Sequence, residues 1–389
     1  MAAPPATLSP LTRDDIRRVV EALIRAQLKR RFGAASLGWL WSEPWNEATA
    51  LDSEDVGLDS LGLVACCARV AGFFGLAAQG LDDYLLNERH LGGWIDIIHG
   101  ARHVLREIEF ETSGTTGEPK RVIHSASMLW EEAAIPALSP GRGKVLSMVP
   151  ECHAFGFLFS VLAPRIGERE TVVSSAAGMV GRLTRDSSID LVIATPALFD
   201  DERLISLLNR IEGTRPLTVI TSGSALTRGH WQRLSEKGRR HVIEIYGATE
   251  TLGIGWRRDA DRFALLPHRS WGQVQGGEGP SVIARDGSAL PLQDVICRYG
   301  AGFELGPRLD GKINRAGCLI DMPAVQRLLD EAASGQRLNC ILSAVNEGRQ
   351  LLMQVKPADD QDKDEIDRRV REVLSALPPE ARPSRIEFR

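Results

Sequence analysis

The sequence predicts an α/β protein built on a largely parallel sheet, and three patterns carry that expectation. Five short apolar runs, Val145–Val149, Thr171–Ser174, Leu191–Thr195, Leu217–Thr221 and Val242–Tyr246, have the length and branched-residue content of buried strands. Helical stretches of roughly ten to fifteen residues separate most of them, which suits a sheet covered on both faces. A small α+β region follows, with helices expected over Asp321–Ala333 and Asp362–Leu377 and strands over Asn339–Ala344 and Gln350–Val355.

Ahead of the sheet the chain reads as helical. Ile16, Val19, Val20, Leu23, Ile24 and Leu28 recur at helical spacing behind Thr12, an N-cap candidate followed by Asp14 and Asp15. A second apolar helix is expected from Ser60 through Val70, and a last one over Leu91–Ile98. The organisation expected is therefore a helical region over 1–100, a large domain over 108–305 and a small domain over 306–389.

Composition excludes several classes. Charged residues make up 25% with a net charge of −4, so neither nucleic acid nor an anionic membrane surface is an expected partner. No apolar run reaches the ~18 residues of a membrane span. The first residues lack a basic segment leading into an apolar one, so no signal peptide is expected. Cys66, Cys67, Cys152, Cys297, Cys318 and Cys340 form no C-x-x-C pair, which points to reduced thiols in a cytoplasmic protein.

The strongest chemical signal is the run Thr112-Ser113-Gly114-Thr115-Thr116-Gly117-Glu118-Pro119-Lys120. Two glycines free the backbone, hydroxyls and free N–H groups can surround phosphate oxygens, and Lys120 adds a point charge. It is not a Walker A loop, because Lys120 lies three residues past Gly117. Ser222–Ala225 and Gly247–Glu250 fall just past expected strand ends, where ligands of parallel sheets bind.

TSGTTGEPK closely resembles the phosphate-loop signature of the adenylate-forming superfamily of acyl-CoA synthetases, peptide-synthetase adenylation domains and firefly luciferase. Ile245-Tyr246-Gly247-Ala248-Thr249-Glu250 resembles that family's YGxTE motif. The resemblance implies ATP and Mg²⁺ as cofactors. It puts Thr249 on the AMP phosphate, Glu250 on magnesium and Tyr246 beside the adenine. Ser222-Gly-Ser224-Ala225-Leu226 resembles the segment lining the adenine and acyl pocket. Pro150-Glu-Cys-His153-Ala-Phe-Gly156 resembles a P-x-x-H-x-x-G segment whose histidine borders the substrate carboxylate. Amino-acid-activating relatives carry an Asp nearby; here His153 has apolar neighbours, which favours an aryl or fatty acid. Asp294 and the stretch Arg308-Leu-Asp310-Gly-Lys-Ile resemble the ribose-binding Asp, a nucleotide-facing Arg and the interdomain hinge, with Leu-Gln in place of the usual Thr-Gly before Asp294.

The resemblance implies an acid–thiol ligase. It would form an acyl-AMP and pass the acyl group to a pantetheine thiol of CoA or of an acyl carrier protein. No lysine follows Lys363, whereas the family places a catalytic lysine near its C-terminus, so slowed or lost adenylation is expected unless another residue substitutes. A non-catalytic nucleotide- or acyl-binding scaffold and an enzyme limited to the thioester half-reaction are the alternatives. At the other end, Asp59-Ser60-Leu61 resembles the D-S-L site of acyl carrier proteins, which makes Ser60 a phosphopantetheine candidate; the simpler reading is that Asp59 or Ser60 caps a helix.

Overall fold

The computed structural model describes residues 4–32, 45–53, 56–111, 120–174, 176–212, 216–235, 241–258, 262–273, 280–309, 311–315, 318–334, 338–345, 350–357, 363–377 and 381–388. Thr112 to Pro119 of the Gly-rich segment, including Ser113, Gly114, Thr115, Thr116 and Gly117, and the hinge candidate Asp310 lie outside them.

Four helices open the chain: α1 (Arg13–Phe32), α2 (Ser60–Phe74), α3 (Asp82–Asn87) and α4 (Leu91–Ala101). Thr12 begins α1 as expected. Its Oγ1 accepts from Asp15 N at 3.2 Å while Asp15 Oδ2 accepts from Thr12 N at 2.9 Å, a reciprocal cap. Asp59 caps α2 by accepting from Gly62 N at 2.7 Å, and Gly75 closes it in the left-handed conformation. The buried faces of these helices do not form a core of their own. Val20, Phe73 and Trp94 belong to one apolar cluster with Val145, Phe157, Ile220 and Leu266. Phe73, Phe110 and Phe157 meet edge to face with centroids 5.5–5.8 Å apart, and each such pair adds about 1 kcal/mol beyond burial.

Strands β1 (Glu107–Glu111) and β2 (Arg121–Ser125) form an antiparallel hairpin in which Glu111 faces Arg121. The Gly-rich segment lies in the sequence between these two strands, and α5 (Ala126–Ala133) follows β2.

The main sheet takes β3 (Lys144–Ser147), β4 (Thr171–Val173), β5 (Ile189–Ala194), β6 (Thr218–Thr221), β7 (His241–Ala248), β8 (Leu252–Arg258) and β9 (Phe263–Leu265). After a separate hairpin, β10 (Ser270–Gln273) with β11 (Pro280–Ile283), it is completed by β12 (Asp294–Tyr299) and β13 (Gly302–Arg308). Its nine strands run in the order β12-β13-β9-β8-β7-β6-β5-β3-β4. The five from β4 to β7 are parallel and are those the apolar runs predict. The other four are antiparallel additions that those runs do not reveal.

Between β3 and β4, α6 (Ala154–Gly156), a π-helical stretch Phe157–Leu162 and α7 (Ala163–Ile166) run on as one element. Helices α8 (Ala176–Arg185), α9 (Glu202–Glu212) and α10 (Arg228–Ser235) complete the crossovers. Met179, Leu183, Leu204, Leu208 and Trp231 from them build a second core against Val192, Val219 and Val242. Because β4 lies on one side of β3 and β5 on the other, the chain changes direction between β3 and β5. The crevice outside their carboxyl ends is where such sheets bind ligands.

The last region holds a hairpin, β14 (Lys312–Arg315) with β15 (Cys318–Asp321), then α11 (Met322–Ser334), β16 (Leu338–Val345), β17 (Gln350–Pro357), α12 (Lys363–Ser375) and β18 (Arg385–Phe388). The three-stranded sheet β16-β17-β18 and its two helices enclose their own core, with Val325, Leu329, Met353 and Val370 at its centre. Among the described residues no helix is long and apolar enough to cross a membrane. Cys66, Cys67, Cys152, Cys297 and Cys340 are free thiols.

Candidate active site

Three loops lie past the carboxyl ends of β3, β6 and β7. The first is Pro150–Gly156. A Cβ at Gly156 would stand 2.1 Å from Pro150 O, so the chain can fold back on itself here only without a side chain. The fold-back begins the helix at His153, whose carbonyl accepts from Phe157 N at 2.8 Å.

The His153 side chain opens to solvent while protein surrounds the rest of it. That surround, aided by the cations Arg69, Arg30 and Lys29, pushes its pKa down to about 4. The imidazole is therefore neutral near pH 7, with one N–H to donate. Beside it, Glu111 is gripped by Arg69 at 2.6 Å and Arg30 at 2.7 Å, which ties α1 and α2 to the root of the Gly-rich segment.

The second loop, Ser222–Leu226, is tied to β7 at both ends. Ser222 Oγ donates to Ile245 O at 2.8 Å, and Leu226 N donates to Glu244 Oε1 at 2.8 Å. Glu244 is buried and paired with Arg257 at 2.6 Å. Ser224 and Ala225 form the free arc of this loop, next to Gly223 at φ +95°.

The third loop is the turn from β7 to β8 that carries Thr249 and Glu250. Lys120 Nζ lies 3.7 Å from Glu250 Oε1, so the downstream end of the Gly-rich segment meets this turn. A Cβ at Gly247 would stand 2.1 Å from Leu252 O, which explains the glycine. Leu252 sits at φ +57°, a left-handed conformation that costs a side-chain-bearing residue about 1–2 kcal/mol. Such strain persists only where surroundings hold it.

Tyr246 points to the antiparallel half of the sheet, where its hydroxyl donates to Asp294 Oδ2 at 2.9 Å. Burial and the Asp294 carboxylate raise the phenol's pKa, so it stays protonated. Asp294 and Arg308 are opposite each other across β12 and β13, with Arg308 Nη1 4.0 Å from Asp294 Oδ2. Two groups of sequence-flagged residues thus assemble: Lys120 with Glu250 and Thr249, and Tyr246 with Asp294 and Arg308. Ser60 stands apart as an exposed residue in the first turn of α2.

Sequence reasoning missed His124, Glu132 and Arg269, which hold the Thr249–Glu250 turn from behind. Glu132 carried a readable signal, since it falls on the buried face of α5 beside Leu129 and Trp130. A carboxylate at an apolar helix position needs a partner.

The model of the family described as AMP-binding enzyme matches residues 112–274. The chain is 34% identical over 349 residues to a 4-coumarate–CoA ligase of Cereibacter sphaeroides, covering 87% of this chain and 81% of that one. The chain belongs to the AMP-binding, adenylate-forming enzymes. A 4-coumarate–CoA ligase of Rhodobacter capsulatus is 32% identical, covering 81% of this chain and 82% of its own. Among solved structures, the amide bond synthetase McbA from Marinactinospora thermotolerans superposes with a TM-score of 0.55 at 20% identity, covering 72% of this chain and 65% of that one. A malonyl-CoA ligase bearing methylmalonyl-CoA and AMP gives 0.52 at 19%, covering 72% and 70%. These two share the adenylate-forming fold. No comparison supports a carrier-like fold for the N-terminal helices.

Proposed function

We propose that this protein is an acid–CoA ligase that activates an aryl carboxylic acid of the coumarate type as its acyl-AMP and transfers it to CoA. One observation carries the reading: identity of 34% to a 4-coumarate–CoA ligase over 87% of the chain.

The site chemistry agrees. Lys120 and Glu250 mark the triphosphate end of the crevice, with the hydroxyls of 112–117 contributed by the loop between β1 and β2. Thr249 steadies the α-phosphate. Tyr246, Asp294 and Arg308 define the nucleoside end, where Asp294 accepts from the ribose hydroxyls. No three-residue cage of metal-binding side chains exists among the described residues. Mg²⁺ bound through Glu250, phosphate oxygens and water fits that donor set, because magnesium holds several waters and needs few protein ligands. Bound there, it neutralises phosphate charge. Neutral His153 donates one hydrogen bond to the substrate carboxylate and orients it without quenching its charge, so an oxygen lone pair can attack the α-phosphorus. Pyrophosphate leaves. The thiolate of CoA then displaces AMP from the acyl carbon. Rotation of the small domain about Asp310 separates the two steps. With ATP and CoA as substrates, the cytoplasm is its compartment.

Carboxylate-dependent ATP–pyrophosphate exchange tests the adenylating step. Exchange with hydroxycinnamates, but not with fatty or amino acids, is the expected result. ATP binding with no exchange for any acid would replace this reading with the scaffold. Thioester formation from supplied acyl-AMP alone would leave only the second half-reaction.

A second thiol acceptor, a phosphopantetheine arm on Ser60, rests on that residue's exposure beside the exposed Leu61 and Val64. Intact mass after co-expression with a phosphopantetheinyl transferase decides it: an unmodified chain removes this acceptor.

A further inference from the structure

We propose that Arg269 is a positioning residue for the site, acting with Glu132 and His124 to hold the Thr249–Glu250 turn in a conformation it would not keep alone. This inference rests on the nucleotide-binding reading above.

The ladder of β7 and β8 runs up to the turn, pairing Gly247 with Gly253 and Ala248 with Leu252, and charged and polar side chains bind the turn from behind. Arg269 Nη2 donates to Thr251 O at 2.8 Å and its Nε to Gly253 O at 2.9 Å, so one guanidinium spans the carbonyls on either side of Leu252. Glu132 accepts from Gly253 N with both oxygens, at 2.9 and 3.0 Å. His124 Nε2 lies 2.6 Å from Thr249 O, to which it donates. All three side chains are buried. The strand register shifts between Tyr246 and Gly247, just before the turn. Leu252, at φ +57°, is the strained point the guanidinium brackets.

A buried fork that serves two carbonyls is hard to replace. Lysine offers a single point charge, and glutamine offers no charge. With Arg269 gone, two buried carbonyls lose their donor and Leu252 is free to relax into the extended region. Thr249 and Glu250 would then turn away from Lys120. Arg269 is buried and spends its donors on backbone carbonyls, so its loss should be felt as misplacement of Thr249 and Glu250.

The experiment compares the full-length wild type with Arg269→Gln and Arg269→Lys. It measures equilibrium binding of Mg·ATP, pyrophosphate exchange, and amide hydrogen exchange across 249–253. The glutamine variant should bind Mg·ATP about tenfold more weakly, require more Mg²⁺ for half-maximal exchange, and leave the KM for the acid within about twofold. Its amides at 249–253 should exchange faster while the rest of the sheet stays protected. Lysine should recover part of both effects. Unchanged Mg·ATP affinity with unchanged local amide exchange overturns the proposal, as does a loss that only tracks the fraction of folded protein. If the glutamine variant fails to fold, the lysine variant decides by the same two readouts. A wild type that neither binds nor exchanges would sink the functional reading instead, and local amide exchange alone would then judge the clamp.

Discussion

The Tyr246 hydroxyl donates a hydrogen bond to Asp294 Oδ2 at 2.9 Å, joining the fifth parallel strand to the antiparallel edge of the sheet. That bond links two motifs far apart in sequence, and Arg308 stands behind Asp294 on the neighbouring strand. Asp294→Ala should raise the KM for ATP about tenfold with a smaller effect on kcat, because on the proposed reading it removes an acceptor for the ribose hydroxyls. The variant should also lose discrimination against 2′,3′-dideoxy-ATP. Steady-state kinetics with both nucleotides checks this. Tyr246→Phe should cost about 1 kcal/mol of stability, the worth of one hydrogen bond.

Lys120 and Glu250 should separate activity from stability. The Lys120 side chain is 69% exposed, so their 3.7 Å pairing contributes at most about 1 kcal/mol to folding. Lys120→Ala and Glu250→Ala should therefore melt near the wild-type temperature. Each should nevertheless lower pyrophosphate exchange by about a hundredfold or more, since on the proposed reading Lys120 meets phosphate directly and Glu250 holds the magnesium that does. A large fall in melting temperature with proportionate activity loss would make the pair structural.

The surroundings of His153 give a pH prediction with a definite sign. Its pKa falls from near 6.5 in the unfolded chain to about 4 in the fold. Between those values the unfolded state holds the extra proton, so the stability contributed by neutral His153 is present above about 6.5 and lost as pH falls towards 4. Burial lowers the pKa of His124 in the same direction. His153→Gln should flatten the pH dependence of denaturant midpoints in that window. Activity should show no titration near 6.5 assignable to His153.

Glu244 supports the Ser222–Leu226 loop from beneath. Its carboxylate is buried, takes Leu226 N and pairs with Arg257. Glu244→Ala leaves a cation without its partner and should cost about 3 kcal/mol. Urea titration measures it. Since Leu226 loses its anchor too, the KM for the acid should rise in whatever fraction stays folded.

The parallel half of this fold was legible because buried parallel strands are continuous apolar runs, as Val145–Val149 and Leu191–Thr195 are. The antiparallel half was not. Strand β8 reads Leu-Gly-Ile-Gly-Trp-Arg-Arg, and its glycines answer to Glu132, Leu266 and Phe303, which only the fold brings near. The hairpin around the Gly-rich segment escaped notice for a similar reason: β1, Glu-Ile-Glu-Phe-Glu, carries three acids, one of them held by arginines from α1 and α2. At the site, local motifs exposed Lys120, Tyr246, Thr249, Glu250 and Asp294. Arg269 and His124 stayed hidden because their partners are backbone atoms more than fifteen residues away, which no spacing rule encodes.

The most direct test of the account is product formation from 4-coumarate, ATP, Mg²⁺ and CoA, followed by mass spectrometry of the thioester and quantitation of AMP. The account predicts equal amounts of coumaroyl thioester and AMP, dependent on all four components and abolished in Glu250→Ala. Binding of ATP without AMP release, whatever aryl acid is supplied, would contradict it.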